Sequence, residues 1–260
     1  MASFNFFGRE IPIYGVCFFF GIIVASFVGM FLSKKRNFDF FDLASSGAYT
    51  LIGALLGAKL LFIAVSLKTI IENNIPFEAI IKGGFVFYGG LLGGAAGLLI
   101  YIKQFKISYE IFDIYAVALP IGHAFGRLGC FFAGCCYGIP YSGFPSHVYH
   151  ESIGNTPIGV PLLSVQLIEA VGLILLFTVQ IVVFFICSKT GKRGVSSALY
   201  LIIYPVMRFF LEFFRGDKER GIYFGLSTAQ WISIAIFSSV ILIIVFKGIK
   251  KAHKTKELVL

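Results

Sequence analysis

Apolar residues run along this chain in long blocks separated by short polar breaks, and the blocks do not alternate with a period of two. A stretch such as VGLILLFTVQIVVFFI presents apolar side chains on every side. That suits a helix satisfying its own backbone hydrogen bonds in lipid, not a barrel strand with one polar face. The blocks predict helices over 12–33, 43–67, 84–102, 111–132, 163–188, 195–215 and 228–246, each close to the ~20 residues that cross a bilayer. The expected fold class is all-α, a polytopic membrane protein of about seven transmembrane helices. Residues 1–260 form a single transmembrane domain in this reading, with an irregular cap at 134–162, where turn-forming dipeptides cluster and Lys and Arg are absent. The opening MASFNFFGREIPIYG lacks the basic flank and small-residue cleavage site of a signal peptide, so the first block is read as retained.

Composition agrees: 58% of residues are hydrophobic and 13% charged, too little polar surface for a soluble globule. The basic residues then orient the chain. The segments after the first, third, fifth and seventh blocks hold 13 Lys and Arg, whereas the other four hold six, counting Arg215 at the last position of the sixth block. The positive-inside rule therefore puts the N-terminus outside and the tail in the cytoplasm. The formal net charge of +9 reports this topology and contact with anionic membrane lipids, not nucleic acid.

Lys59, Arg127 and Arg208 fall inside blocks, and charge at membrane depth costs about 3 kcal/mol or more, so each requires a partner or a wet cavity. Arg127 lies toward the outer end of the fourth block, facing a polar cavity. Arg208, Glu212 and Arg215 are spaced i, i+4, i+7 and are expected on one inward helix face. Gln166 and Glu169 share a face at i, i+3, and a buried Glu169 needs a cation, for which Arg127 and Arg208 are the candidates. Gly90/Gly94 and Gly93/Gly97 in the third block predict close helix approach, and the Tyr88 hydroxyl beside them wants a partner. Cys130, Cys135 and Cys136 with His123 match no zinc-site spacing, so no metal and no cofactor are expected. Cys130 is a disulfide candidate with Cys135 or Cys136, and packing is the plainer reading. Phosphate-cradling loops and internal repeats are absent from the sequence.

Several segments resemble one family. FGRLGCFFAGCCYG is similar to the Gly-Arg-x-Gly-Asn-Phe-x-Asn-Gly-Glu signature of prolipoprotein diacylglyceryl transferases, RFFLEFFR to their Arg-Phe-x-x-Glu-Phe-Phe-Arg, and SVQLIEA to their Pro-Ser-Gln-Leu-Tyr-Glu-Ala. IPIYG, GALLGAKL and FYGGLLGG follow family segments in order. The resemblance implies a seven-helix enzyme of the bacterial cytoplasmic (inner) membrane. Such an enzyme moves the diacylglyceryl group of phosphatidylglycerol to the lipobox cysteine of a prolipoprotein signal peptide, forming a thioether and releasing glycerol phosphate. It further implies that Arg127 binds the lipid phosphate and that Arg208 acts at the reacting centre with Glu212 and Arg215 in support. Tyr14, Gln166 and Glu169 would shape the cavity. Arginine fits because its planar fork holds phosphate oxygens bidentately.

The departures rewrite the polar lining. Cys130, Ala133 and Cys135 stand where the signature has Asn, Asn and Glu; Tyr88 stands for a His before paired glycines, and Lys59 for an Arg. His123, one turn before Arg127, supplies an imidazole in this chain, so His123, Tyr88 and Arg208 are the catalytic candidates. The alternatives are a paralogue that moves a lipid fragment to another acceptor, or a non-catalytic lipid- or anion-binding protein or transporter.

Overall fold

A computed structural model describes residues 3–6, 9–82, 84, 86–151, 156–217 and 222–257. Among the described residues eight α-helices carry the fold: α1 (Ile13–Ser33), α2 (Phe40–Glu72), the short α3 (Phe77–Lys82), α4 (Phe87–Phe105), α5 (Ile111–Ala133), α6 (Val165–Thr190), α7 (Val195–Leu211) and α8 (Thr228–Glu257). Among the described residues six stretches are long and apolar enough to cross a membrane, at 13–36, 40–64, 111–133, 165–190, 195–214 and 228–246. The third expected span, now α4, is not one of the six; its glycines and the terminal Lys103 and Gln104 dilute its apolar character.

Among the described residues three small antiparallel β pairs accompany the helices, which a purely helical reading does not contain: β1 (Ser3–Phe6) with β2 (Arg9–Pro12), β3 (Ser146–Val148) with β4 (Pro161–Leu163), and β5 (Ile222–Tyr223) with β6 (Leu226–Ser227). Each lies outside the long helices, where water can solvate an open strand edge.

The chain divides into two compact units, Met30–Ile111 and Met1–Gly29 with Phe112–Leu260. In the first unit α2 and α4 touch backbone to backbone. Gly53 and Gly57 face Gly89, Gly93 and Gly97, and a Cβ on any of these five would overlap the opposite helix. The close approach expected of the Gly93/Gly97 spacing is therefore present, extended one turn back to Gly89. Gly90 and Gly94 meet Ala54, Ala58 and Thr50 at ordinary contact distances. Lys59 reaches the Gly84 carbonyl at 3.4 Å and lies 5.1 Å from the Phe62 ring centre. Tyr88 occupies the first turn of α4, and its side chain lies outside the described residues.

In the second unit α5, α6 and α7 pack around Ala124, Ala170 and Leu173, with Leu128, Tyr204 and Met207 against them. Asp113 in the first turn of α5 accepts hydrogen bonds from Gly194 N (2.7 Å), Ser197 N (2.9 Å) and Ser197 Oγ (2.8 Å). It caps the start of α7 and ties that helix to α5. Ser227 N donates to Gln230 Oε1 and Gln230 N to Ser227 Oγ, a capping box at the start of α8, and Gln230 Nε2 also donates to Phe209 O.

Candidate functional site

Helices α5 and α6 run in opposite directions along the chain's path through the second unit, and their polar residues match turn for turn. On α5, His123, Arg127 and Cys130 follow at i, i+4, i+7; on α6, Gln166 precedes Glu169 by one turn. Arg127 meets Glu169, and the segment just beyond Cys130 meets Gln166, as an antiparallel pair requires.

Glu169 is the hub. Its side chain is 1% exposed, and its Oε2 lies 3.1 Å from both Arg127 Nε and Arg208 Nη1. Arg208 Nη2 continues to Glu212 Oε2 at 2.7 Å. His123 Nε2 is 4.0 Å from Glu169 Oε1, Tyr204 OH donates to the same oxygen at 3.4 Å, and the His123 and Tyr204 rings meet edge to face at 5.3 Å between centres. Two guanidinium groups are thus balanced by two carboxylates inside an apolar helix cluster. Removing one partner from such a buried set costs about 3–5 kcal/mol, because the other charge is left uncompensated. A guanidinium offers five donors in one plane; Arg208 turns Nη1 to Glu169 and Nη2 to Glu212, and Arg127 turns Nε to Glu169.

Backbone hydrogen bonds tie the segment that follows α5 to the residues before α6 and after α7. Gly138 N donates to Leu163 O at 3.1 Å and Leu163 N to Ile139 O at 2.9 Å, while Ile139 N reaches Phe214 O at 3.0 Å and Gly216 N reaches Tyr137 O at 2.9 Å. Gly138 and Gly216 permit these approaches, since a Cβ on either would strike the facing backbone. Arg215 is carried to this layer on extended backbone, φ −77° and ψ 135°. Its expected place on the Arg208/Glu212 face is therefore corrected: α7 ends at Leu211, a 3-10 turn covers Glu212–Phe214, and Arg215 instead grips Asp217 with Nε at 2.8 Å and Nη2 at 2.5 Å. The i, i+4 pair of Arg208 with Glu212 survives because it spans only the helix end.

Gln166, 1% exposed, donates through Nε2 to Cys135 O at 2.7 Å and to Tyr149 OH at 3.3 Å, and its Oε1 has no hydrogen-bond partner among the described residues. Burial pushes the Tyr149 hydroxyl up to about 12. Tyr14, at the start of α1, packs its Cα and ring edge on Gly129. The candidates Tyr14, His123, Arg127, Gln166, Glu169, Arg208, Glu212 and Arg215 all belong to one compact unit. Sequence reasoning missed Tyr204, whose only signal is its position one turn before Arg208, and Asp217, which directly follows Arg215 and Gly216.

Comparison with known proteins gives a coherent result. A family model described as prolipoprotein diacylglyceryl transferase matches residues 2–246. The chain is 32% identical over 252 residues to phosphatidylglycerol–prolipoprotein diacylglyceryl transferase 2 of Clostridium perfringens, covering 96% of each chain. It is 35% identical over 244 residues to phosphatidylglycerol–prolipoprotein diacylglyceryl transferase of Clostridium tetani, covering 94% of this chain and 95% of that one. A similar protein from Finegoldia magna is 29% identical over 261 residues, with 98% of both chains covered.

Proposed function

We propose that this chain, which belongs to the prolipoprotein diacylglyceryl transferase family and is a membrane transferase of lipoprotein biosynthesis, moves the diacylglyceryl group of phosphatidylglycerol to the lipobox cysteine thiol of a prolipoprotein. The observation that carries this reading is the pair of guanidinium groups held on Glu169, each 3.1 Å from the same oxygen, in the apolar interior of α5, α6 and α7. The reaction needs fixed positive charge where a phosphate ester departs and a group to take the thiol proton. Arg127 and Arg208 supply the first. As the acceptor sulfur bonds to the glycerol carbon, the bond from that carbon to the phosphate oxygen breaks, and the electron pair leaves with glycerol phosphate. His123 takes the thiol proton, while Glu169 and Glu212 set the two forks. Tyr14, Gln166 and Arg215 shape the pocket, and Tyr88 contributes to lipid binding.

The enzyme sits in the bacterial cytoplasmic membrane as one domain of seven spans. Its N-terminus and the 134–162 cap face outward, where secreted precursors arrive, and its tail faces the cytoplasm. Cysteine accessibility mapping should label 134–162 from outside and 247–260 from inside; labelling of both from one side would remove the seven-span topology.

The deciding experiment is complementation of a transferase-depleted bacterium, with mass spectrometry of one lipoprotein's N-terminal cysteine. The expected product carries a diacylglyceryl thioether on that cysteine. An unmodified cysteine, in cells where the protein is folded and membrane-inserted, would overturn the reading.

A further inference from the structure

The segment that follows α5 brings three thiols together just beyond Arg127. The sulfur atoms of Cys130, Cys135 and Cys136 all lie within 4.8 Å of one another, each residue is partly buried, and all three are free thiols. Sequence neighbours such as Cys135 and Cys136 point to opposite sides of an extended chain and about 100° apart on a helix. Here Cys136 takes a left-handed conformation, φ 60°, which a residue with a Cβ rarely adopts. That conformation coexists with the convergence of both side chains on Cys130. Cys135 N donates to Cys130 O at 3.1 Å, and Gln166 holds Cys135 O at 2.7 Å. The backbone around the cluster is thus fixed from two elements.

A tetrahedral zinc ion with sulfur ligands at about 2.3 Å holds them about 3.8 Å apart, so the present separations need at most about 1 Å of contraction. Three sulfur ligands leave a fourth position open, the pattern of a reactive rather than a purely structural zinc site. Charge favours the same occupant. Zinc with three thiolates carries a net charge of −1, and guanidinium groups lie on both sides in sequence and backbone contact: Arg127 one turn before Cys130 on α5, and Arg215 next to Gly216, whose N bonds Tyr137 O beside Cys136. Cys130 lies one turn from Arg127 on the same face of α5, about 5–6 Å between Cβ atoms, so the thiol cluster begins one turn from that guanidinium's helix position.

We infer that Cys130, Cys135 and Cys136 bind a zinc ion whose fourth position receives the acceptor's thiol as a thiolate, beside the arginines that hold the departing phosphate. The inference rests on the proposed transfer to a thiol. On binding, a sulfur–zinc bond replaces the S–H bond and a zinc-bound water leaves. The proton passes along a chain of waters to His123, two turns from Cys130 on α5. The coordinated sulfur, deprotonated by the metal as coordinated thiols are, then forms the bond to the glycerol carbon while the phosphate departs with its electron pair. The rewritten signature thereby acquires a chemical purpose: the thiols at 130 and 135 activate another thiol.

The test uses the full-length protein, purified in detergent under reductant and without oxygen. Elemental analysis after loading with zinc alone should find about one zinc per chain, retained in the Cys17→Ser and Cys187→Ser variants and lost in Cys136→Ser. A measurement that survives any failure of Cys136→Ser to fold uses the wild type loaded with cobalt(II), whose sulfur-to-metal charge-transfer absorption counts thiolate ligands. Adding a lipobox peptide should raise that absorption by about one third, as three thiolates become four, and the same peptide with serine for cysteine should leave it unchanged. Removing the metal should slow transfer by about 100-fold, the scale of losing an assisted proton step. No metal bound to the reduced wild type, a disulfide among the three cysteines when cells are alkylated before lysis, or a cobalt spectrum indifferent to the peptide would each overturn the inference. Transfer by metal-free enzyme at the full rate would overturn it too, while leaving the transferase reading intact. A thiol-responsive cobalt spectrum without transfer would support the site and overturn the transferase reading instead.

Discussion

Two helix contacts in this molecule solve the problem of holding helices together in lipid by opposite means. Between α2 and α4, Gly53 and Gly57 meet Gly89, Gly93 and Gly97 with no side chain between the backbones. Around Glu169, by contrast, α5, α6 and α7 are joined through two arginines and two glutamates, the longest charged side chains of their kind. Lipid offers no hydrophobic drive for helix association, so close van der Waals contact is the straightforward solution and small residues provide it. Buried ion pairs gain far less, since their desolvation offsets most of their attraction. A chain that can pack helices with glycine and still carries Arg127 and Arg208 at depth has those charges for another purpose. In a membrane protein, chemistry is therefore to be sought at the contact that costs more free energy than packing demands.

The largest expected effect breaks the charged contact at its cations. Arg127→Ala and Arg208→Ala should each reduce transfer by about 1,000-fold or more, the scale of losing a charge-stabilising donor. Lysine at either place should recover only part, because an ammonium cannot make a planar bidentate contact with phosphate. Turnover assays on folded, detergent-purified variants check this. Near wild-type turnover in Arg127→Ala would return the arginine to a purely structural role.

A smaller loss should follow at the neighbouring imidazole. His123→Gln keeps a hydrogen-bonding side chain near Glu169 but removes the proton acceptor, and should lower the maximal rate by about 100-fold, with Tyr88→Phe acting mainly on lipid affinity. Rate against lipid concentration separates the two. Full rate and unchanged pH dependence in His123→Gln, together with an inactive Tyr88→Phe, would transfer the catalytic assignment to the tyrosine.

The glycine contact should respond in stability rather than in rate. Gly93→Val places methyl groups where the Gly53 and Gly57 backbone lies, and overpacking of this kind costs about 1–3 kcal/mol. Thermal unfolding in detergent should show the loss, while turnover per folded molecule stays near the wild-type value. Equal losses of stability and turnover in Gly93→Val would collapse the distinction between the two contacts.

Legibility in the sequence follows the same physics. Continuous apolar blocks announce the helices because lipid tolerates little else, and the Gly93/Gly97 spacing announces the close contact. Helix ends are less legible. Helix α8 continues to Glu257, past the last apolar residue of its block, because lysine and alanine sustain a helix without lipid around it. A buried Glu169 calls for Arg127 or Arg208, and the structure gives it both; nothing local states that residues 42 and 39 positions away converge on one oxygen. Arg215 is misplaced by i, i+7 spacing, which assumes a helix that in fact ends at Leu211. The thiol cluster is illegible as a site because it depends on the left-handed turn at Cys136, and a cysteine there carries no sequence signal for that conformation.

The smallest expected effect sharpens the comparison through pH. The five glycines of the α2–α4 contact have no titratable group, and the tyrosines beside them, Tyr49 and Tyr101, are common to wild type and Tyr149→Phe, so comparing the two proteins isolates the arginine side. There Tyr149 is 5% exposed, its hydroxyl accepts from Gln166 Nε2, and burial raises it from the ordinary 10 to about 12. The folded protein therefore keeps the phenol proton more tightly than the unfolded chain. Its contribution to stability is whole below pH 10 and is lost as the pH rises through about 12. A rise from 10 to about 12 corresponds to at most about 2.7 kcal/mol, and solvent screening at the cap trims it. The measurement is the difference in unfolding free energy between wild type and Tyr149→Phe across this range, which cancels the lysines common to both. Phenylalanine forfeits the hydrogen bond, so the variant should start about 1 kcal/mol less stable at neutral pH, and the gap should close or reverse toward pH 12. A gap independent of pH would show that the hydroxyl is solvated in the folded protein and that the cap does not seal the pocket at Gln166.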